Sequence, residues 1–169
     1  MTVLLSELQP SISVAYHSDR AASDLWKVVC DPLVQPQFSS ELQAVRLLDD
    51  GPLQLGSRFE GDQRRGDREW TTISTVTTFD VERAFAWTVP SQEDGVTPVS
   101  MWSIALQPVG DGTRIGQSVV LLGGPSHMST RVTEHPGAMF EVINERLLLL
   151  ASSMMQSLRG IEQLAASAH

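Results

Sequence analysis

Cysteine and lysine are nearly absent from this chain of 169 residues. Cys30 is the only cysteine, so an internal disulfide is impossible and no thiolate metal site is indicated. Lys27 is the only lysine, and the formal net charge is −8. Nucleic acids and anionic membrane surfaces are bound by clusters of cations. The composition therefore argues against both as partners.

Long apolar runs are also missing. The longest uninterrupted one, from Leu147 to Ala151, is far too short to cross a bilayer as a helix, which argues against membrane insertion. The amino-terminus shows no basic region followed by an apolar run, so no secretory signal is visible. With an apolar fraction of 41%, we expect one soluble, cytoplasmic domain that spans residues 1–169.

Familiar catalytic and metal-binding motifs are absent as well. The chain contains no Gly-x-Ser-x-Gly elbow, no phosphate loop, no Cys–His motif and no dinucleotide fingerprint. Its four histidines are not spaced as metal ligands, and we expect neither a metal nor another cofactor. Any catalysis is then expected to be proton transfer on a substrate that is shielded from water.

What the chain does contain is a series of short strands followed by one long helix. Alternating apolar residues and turn-forming dipeptides predict about seven strands, near residues 12–16, 42–48, 57–64, 68–79, 84–89, 99–106 and 113–122. Two short helical pieces follow the first strand, the first of them over 22–29 with Ser18 or Asp19 as its candidate cap. The last helix is predicted over Pro136–Ala166, with Thr133 or His135 as its candidate cap.

This long helix implies a cavity. About 30 residues make a helix about 45 Å long, and its apolar positions recur at helical spacing. Such a stripe must pack against another element, and the only large partner in this chain is the sheet. A strongly bent sheet closed around one helix leaves a hollow between them, where a small apolar molecule fits.

The order of the elements and several local patterns resemble the START-like superfamily, and within it the polyketide cyclase/dehydrase branch. The residues that carry the resemblance are Ala22, Trp26 and Val29 before Asp31-Pro32, then Gly56-Ser57-Arg58-Phe59, Phe85-Ala86-Trp87, Trp102-x-Ile104-x-Leu106-x-Pro108 and Gly110-Asp111-Gly112-Thr113-Arg114. The resemblance implies an α+β helix-grip fold. A curved antiparallel sheet of about seven strands would wrap around the long C-terminal helix, with two short helices after the first strand and an internal cavity. One departure is Phe38, where the family often has Trp.

Strand alternation selects the residues expected to line that cavity, because alternate residues face the same side. On the fourth strand, inward Val76 brings Trp70, Thr72 and Ser74 inward, whereas inward Ile73 would bring Thr71 and Thr75. We favour the first phase because it buries Trp70. The expected lining from the sheet is Phe59, Trp70, Thr72, Ser74, Phe85, Trp87 and Trp102, and from the long helix Phe140, Asn144 and Leu147. The alternative for each is plain core packing, or for Asn144 a bond to a neighbouring loop.

Four polar residues are candidates for chemistry. Gln117 shares a strand face with apolar residues, and a buried amide needs a partner. His127 and His135 flank the segment before the long helix, where each can act as an acid or base near neutral pH or cap a helix. Arg58, Arg64, Arg65 and Arg68 surround one hairpin, and Arg65 is the first choice for an inward guanidinium because it alternates in phase with Phe59 and Gly61. It either belongs to a solvated turn or points inward to a ligand carboxylate or enolate.

Two functional hypotheses follow. The first is a cyclase, aromatase or dehydratase that acts by acid/base chemistry on a small hydrophobic, polyketide-like substrate. The second is a non-catalytic carrier or sensor for a lipid or another hydrophobic metabolite. The arginine-rich hairpin is also a candidate contact for an acyl carrier protein. Exposed sheet edges leave both a monomer and a homodimer open.

Overall fold

The computed structural model describes residues 4–167 and shows a seven-stranded antiparallel sheet with a long C-terminal helix. The strands are β1 (Ser11–Ser18), β2 (Leu42–Leu47), β3 (Arg58–Arg65), β4 (Arg68–Asp80), β5 (Ala84–Pro90), β6 (Pro98–Val109) and β7 (Gly112–Leu121). The helices are α1 (Leu5–Leu8), α2 (Ala22–Val29), α3 (His127–Glu134) and α4 (Met139–Ser167), with 3-10 helices at Pro32–Gln37 and Pro136–Ala138. The predicted α+β helix-grip architecture is confirmed.

The sheet order is β1-β7-β6-β5-β4-β3-β2. Strands β2 to β7 form a meander because each pairs antiparallel with the next strand along the chain, and β1 pairs antiparallel with β7 at one edge. Since β1 and β2 lie at opposite edges, α2 and the 3-10 helix Pro32–Gln37 form the connection between the two edges.

Helix α4 packs against β1, β7 and α2. Its buried residues recur at helical spacing: Val142, Ile143, Leu150, Met154, Leu158, Ile161 and Ala165. The second half of this stripe joins β5, β6 and α2 in the main apolar core. Although α4 has this apolar stripe, neither it nor any other helix among the described residues is long and apolar enough to cross a membrane.

The predicted caps of two helices are not observed, and one of these helices starts later than predicted. Helix α4 begins at Met139, because Pro136 opens a separate 3-10 turn and α3 precedes it with Ser126 as its cap. Helix α2 begins after Ala21 with no side-chain cap. The Ser18 hydroxyl instead donates to Glu162 and accepts from the Arg20 amide, which ties the end of β1 to α4.

The fourth strand has the favoured phase. Ser74 and Val76 are buried, and Ile73 is largely exposed. Beyond Val76 a bulge shifts the pairing with β5, which interrupts the alternation. Phe79 therefore packs into the core after the bulge, edge-on to Trp26.

Candidate functional site

A cavity of about 330 Å³ lies between the sheet and α4. Its walls come from β3 to β7, from α4, from the α2 region and from the start of α3. The volume falls in the range typical of small-molecule sites. The site therefore lies where the curved sheet stands away from the helix, beside the solid core that fills the other end.

One wall of the cavity is aromatic. Trp87 and Trp102 are directly opposite each other on β5 and β6, and their rings stack in parallel at a centroid distance of 6.1 Å. Phe59 meets Trp87 edge-on at 6.3 Å, and the Trp102 indole donates to the Ser100 hydroxyl at 3.1 Å. These contacts fix the rings, so the wall presents flat apolar surface to whatever occupies the cavity.

Gln117 is one of two residues lining the cavity, with Gln35, that carry a buried side-chain atom without a hydrogen-bond partner among the described residues. It lies on β7 between Ile104 and Val14 of the neighbouring strands and is only 7% exposed. Its Oε1 atom is buried and has no hydrogen-bond partner among the described residues. An unpaired buried polar atom costs about 1–3 kcal/mol, so a ligand donor would relieve a cost that the folded chain carries.

The mouth of the cavity is built around one carboxylate. Glu41 accepts two hydrogen bonds from the Arg146 guanidinium, at 2.7 and 3.0 Å, and lies 3.6 Å from Arg65. Burial alone would raise the pKa of Glu41, but the hydrogen bonds and charge of Arg146, together with Arg65, outweigh it and lower the pKa. Glu41 is therefore ionised at neutral pH, and its carboxylate is paired with both Arg146 and Arg65.

Arg68 lies at the same mouth without such a carboxylate. Its guanidinium lies over the Trp70 ring, 4.6 Å from the centroid, and within residues 4–167 it forms no ion pair. Burial and the charges of Arg65 and Arg146 lower its pKa, against a smaller opposing effect of Glu41. Arg68 is thus a positioned cation with donors to spare.

His127, the first residue of α3, also lines the cavity. Its pKa is lowered by burial and by the charges of Arg68, Arg65 and Arg131, against a smaller opposing effect of Glu134. The imidazole is therefore neutral at pH 7 and able to accept a proton.

The structure brings most of the predicted residues into one cavity. Those that line it are Phe59, Arg65, Trp70, Thr72, Ser74, Trp87, Trp102, Gln117 and His127. All of them except His127, which begins α3, have an inward position on the sheet or at its rim, which strand alternation identifies well.

Five predicted residues lie elsewhere, which corrects the expected lining. Phe85 is fully buried in the solid core beside Phe79. Phe140 is 67% exposed in the first turn of α4, and Asn144 is exposed one turn later. Leu147 packs against Leu121 and Leu150, and His135 is exposed between α3 and α4. The first turns of α4 use Val142 and Ile143 to contact α1 and α3 rather than the cavity.

Sequence reasoning missed Glu41, Arg131 and Arg146 at the mouth, whereas Arg68 was one of the hairpin arginines it considered. Arg146 was overlooked because only apolar residues defined the inner face of α4, although Arg146, Leu150, Ser153 and Ser157 follow one another at helical spacing and all line the cavity. Glu41 precedes β2 in a segment without any motif. The described residues contain no group of histidine, cysteine and carboxylate side chains that is arranged to hold a metal ion.

Comparison with known proteins gives a consistent result. Residues 9–146 match the sequence profile of the family described as "Polyketide cyclase / dehydrase and lipid transport". No curated protein is similar enough in sequence to stand as a relative.

Solved structures share the fold at low sequence identity. The Polyketide_cyc-like protein Cgl2372 from Corynebacterium glutamicum has a TM-score of 0.62 and 21% identity over 91% of this chain and 90% of its own. The di-domain ARO/CYC StfQ from the steffimycin biosynthetic pathway has a TM-score of 0.73 and 13% identity, over 93% of this chain and 50% of its own. The major latex-like protein 151 from Panax ginseng has a TM-score of 0.61 and 10% identity, over 92% of this chain and 97% of its own.

Proposed function

This chain belongs to the polyketide cyclase / dehydrase and lipid transport family, and from that premise we propose that its cavity binds a small hydrophobic, polyketide-like substrate and cyclises or dehydrates it. The observation that carries the proposal is the pairing of an apolar, aromatic wall with the unpartnered Oε1 atom of Gln117. Apolar walls with a few convergent polar groups are typical of sites for small organic molecules.

Acid/base chemistry is the reaction type that these side chains support. Dehydration removes a proton next to a carbonyl, and the β-hydroxyl leaves as water after it gains a proton. His127 is neutral because its pKa is lowered, so its imidazole can take the first proton and return it to the leaving hydroxyl. Gln117 would hold the substrate hydroxyl, and Arg65 would place positive charge near the developing enolate.

The test is turnover of model thioesters. A 3-hydroxyacyl and a short poly-β-ketoacyl thioester of N-acetylcysteamine are incubated with the protein, and loss of water or ring formation is followed by mass spectrometry. We expect Gln117→Ala and His127→Ala each to reduce turnover at least about tenfold, as loss of a general base or a substrate-holding group does. His135→Ala is the matched control, because His135 is exposed outside the cavity, and it is expected to retain full activity. Equal rates in all variants would contradict the assigned roles.

A carrier or sensor is the second candidate. It is favoured by a cavity that is mainly aromatic and aliphatic where it borders the sheet, and by the lipid transport named in the family's own description. Native mass spectrometry of the purified protein separates the two functions. A lipid that co-purifies unmodified supports a carrier, whereas conversion of an added thioester supports an enzyme. The acyl carrier protein contact and the oligomeric state stay predictions.

A further inference from the structure

The charge at the cavity mouth is opposite to that of the chain. The chain has a formal net charge of −8, yet the arginines at positions 65, 68, 131 and 146 all line this one cavity. A local excess of cations at the opening of an apolar cavity attracts anions and orients them.

Glu41 and Glu93 also line the cavity, but the four arginines outnumber these two carboxylates. Glu41 is shared by Arg146 and Arg65, and Glu145 lies 3.5 Å from Arg131. Arg68 forms no ion pair with a carboxylate among the described residues, although the charge of Glu41 acts on it from beyond ion-pair distance, and the ring of Trp70 holds its guanidinium in place. A guanidinium that is partly desolvated and not paired favours an anionic partner.

We propose that Arg68 binds the anionic head of an amphipathic ligand whose apolar body lies against Trp87 and Trp102. The inference rests on the proposed function, since it assumes that the cavity takes a hydrophobic molecule, and it adds the chemical class of that molecule. Arg68, Trp70 and the tryptophan pair line the same cavity, so one molecule reaches both the cation and the apolar wall. The head is a carboxylate, sulfonate or phosphate, each of which accepts hydrogen bonds from a planar guanidinium.

A matched pair of fluorescent probes tests the inference. 8-Anilino-1-naphthalenesulfonate and N-phenyl-1-naphthylamine share the same aromatic body, and only the first carries an anion. Their dissociation constants are measured by fluorescence with the wild type, with Arg68→Gln and with Arg64→Gln. Arg64 is the control because it belongs to the same hairpin, pairs with Glu69 at 3.7 Å and does not line the cavity.

We expect Arg68→Gln to weaken binding of the sulfonate about tenfold, the size of one lost charge-assisted contact, and to change binding of the neutral amine less than about twofold. Arg64→Gln should change neither constant. Arg68→Lys, which keeps the charge, should restore part of the sulfonate affinity and shows that the loss in Arg68→Gln is not unfolding.

The contrary outcomes separate this inference from the proposed function. If the amine binds the wild type and Arg68→Gln leaves the sulfonate constant unchanged, or weakens both probes equally, the anion site is refuted and the apolar cavity stands. If neither probe binds the wild type, both are refuted. Displacement of the bound sulfonate probe by dodecanoate, dodecyl phosphate and dodecanol then identifies the head group. The alcohol should compete least. The anion that competes more strongly shows whether the site prefers a carboxylate or a phosphate.

Discussion

At the scale of single residues, Glu41 decides how the mouth of the cavity is organised. Its carboxylate joins Arg146 of α4 to Arg65 at the end of β3, so it fixes two cations and leaves Arg68 to an outside anion. The side chain is 20% exposed, which protects these bonds from much of the screening that weakens surface pairs. Glu41 therefore contributes both to the stability of the fold and to the charge pattern of the site.

Glu41→Gln should reduce stability in a manner that depends on pH. The folded pKa of Glu41 is lowered, so its stabilising contribution is fully present above the unfolded value of about 4.3 and is lost as the pH falls through the folded pKa. We expect the variant to lose about 1.5–3 kcal/mol of unfolding free energy at neutral pH, the value of hydrogen bonds to a charged group, and the difference to shrink below about pH 4.

Urea denaturation across this pH range measures the effect. Glu145→Gln is the control, because Glu145 is 63% exposed and lies 3.5 Å from Arg131; a loss within about 0.5 kcal/mol is expected there. A Glu41→Gln difference that stays constant from neutral to acid pH would show that the carboxylate charge is not what stabilises the fold.

Residue patterns predicted the inward side of the sheet but not the mouth. Trp70, Thr72 and Ser74 were assigned from alternation on one strand, and that information is local. The bond between Glu41 and Arg146 joins positions 105 residues apart, and no local pattern contains it. Arg65 was chosen over Arg68 from strand phase, yet which of the two is unpaired depends on Glu41, whose position follows from the tertiary fold.

At the scale of elements, the contact between α4 and Phe38, which follows the 3-10 helix Pro32–Gln37, depends on a glycine inside α4. Gly160 lies within α4, and a Cβ atom added there would be 2.3 Å from the Cβ of Phe38. The Phe38 Cβ is attached directly to the backbone, so the side chain cannot rotate away from such a contact. Glycine in a helix interior costs about 1 kcal/mol relative to alanine, and here that cost permits the close approach.

Gly160→Ala should therefore destabilise the protein despite the higher helix propensity of alanine. We expect a loss of about 1–3 kcal/mol, the usual cost of overpacking. In a Phe38→Gly background, which removes the Cβ atom as well as the ring, the same substitution should instead raise the unfolding free energy by up to about 1 kcal/mol. Urea denaturation of the four proteins in this double-mutant cycle gives the coupling. A stabilising effect of Gly160→Ala in the wild-type background would disprove the close contact.

The starts of the strands and helices show which element boundaries the sequence patterns predict accurately and which they do not. The strands were predicted because turn dipeptides and alternation are strong signals, and β4 and β5 begin at the predicted residues. The start of α4 was placed three residues early at Pro136, since a proline suits both the first turn of an α-helix and a 3-10 turn. The prediction that Phe140 and Asn144 line the cavity failed for a different reason. Helical spacing gives the face on which a residue lies, but not which element packs against that face.

At the scale of the whole molecule, the cavity exists because α4 packs against the solid core along one part of its length and borders open volume along another. Its second half, with Leu158, Ile161 and Ala165, joins the solid core under β5 and β6, whereas Ser153 and Ser157 face the open volume one to two turns earlier. Small hydroxyl side chains at those positions leave space that leucine would fill. The helix thereby closes the fold at one end and leaves room for a ligand at the other.

Filling that space should separate stability from binding. Ser157→Phe projects a ring into the cavity, and we expect the unfolding free energy to stay unchanged or to rise by about 1 kcal/mol, as cavity-filling substitutions do, while N-phenyl-1-naphthylamine binds at least about tenfold more weakly. Ser167→Phe is the control. The hydroxyls of Ser157 and Ser167 both donate to a carbonyl one turn earlier, but Ser167 is exposed, so Ser167→Phe should bind the amine normally.

Thermal denaturation with the amine present adds a second readout. A ligand at 100 times its dissociation constant stabilises the folded state by about 2.7 kcal/mol, and this gain should disappear in Ser157→Phe. Undiminished amine binding by Ser157→Phe would place the ligand outside the cavity.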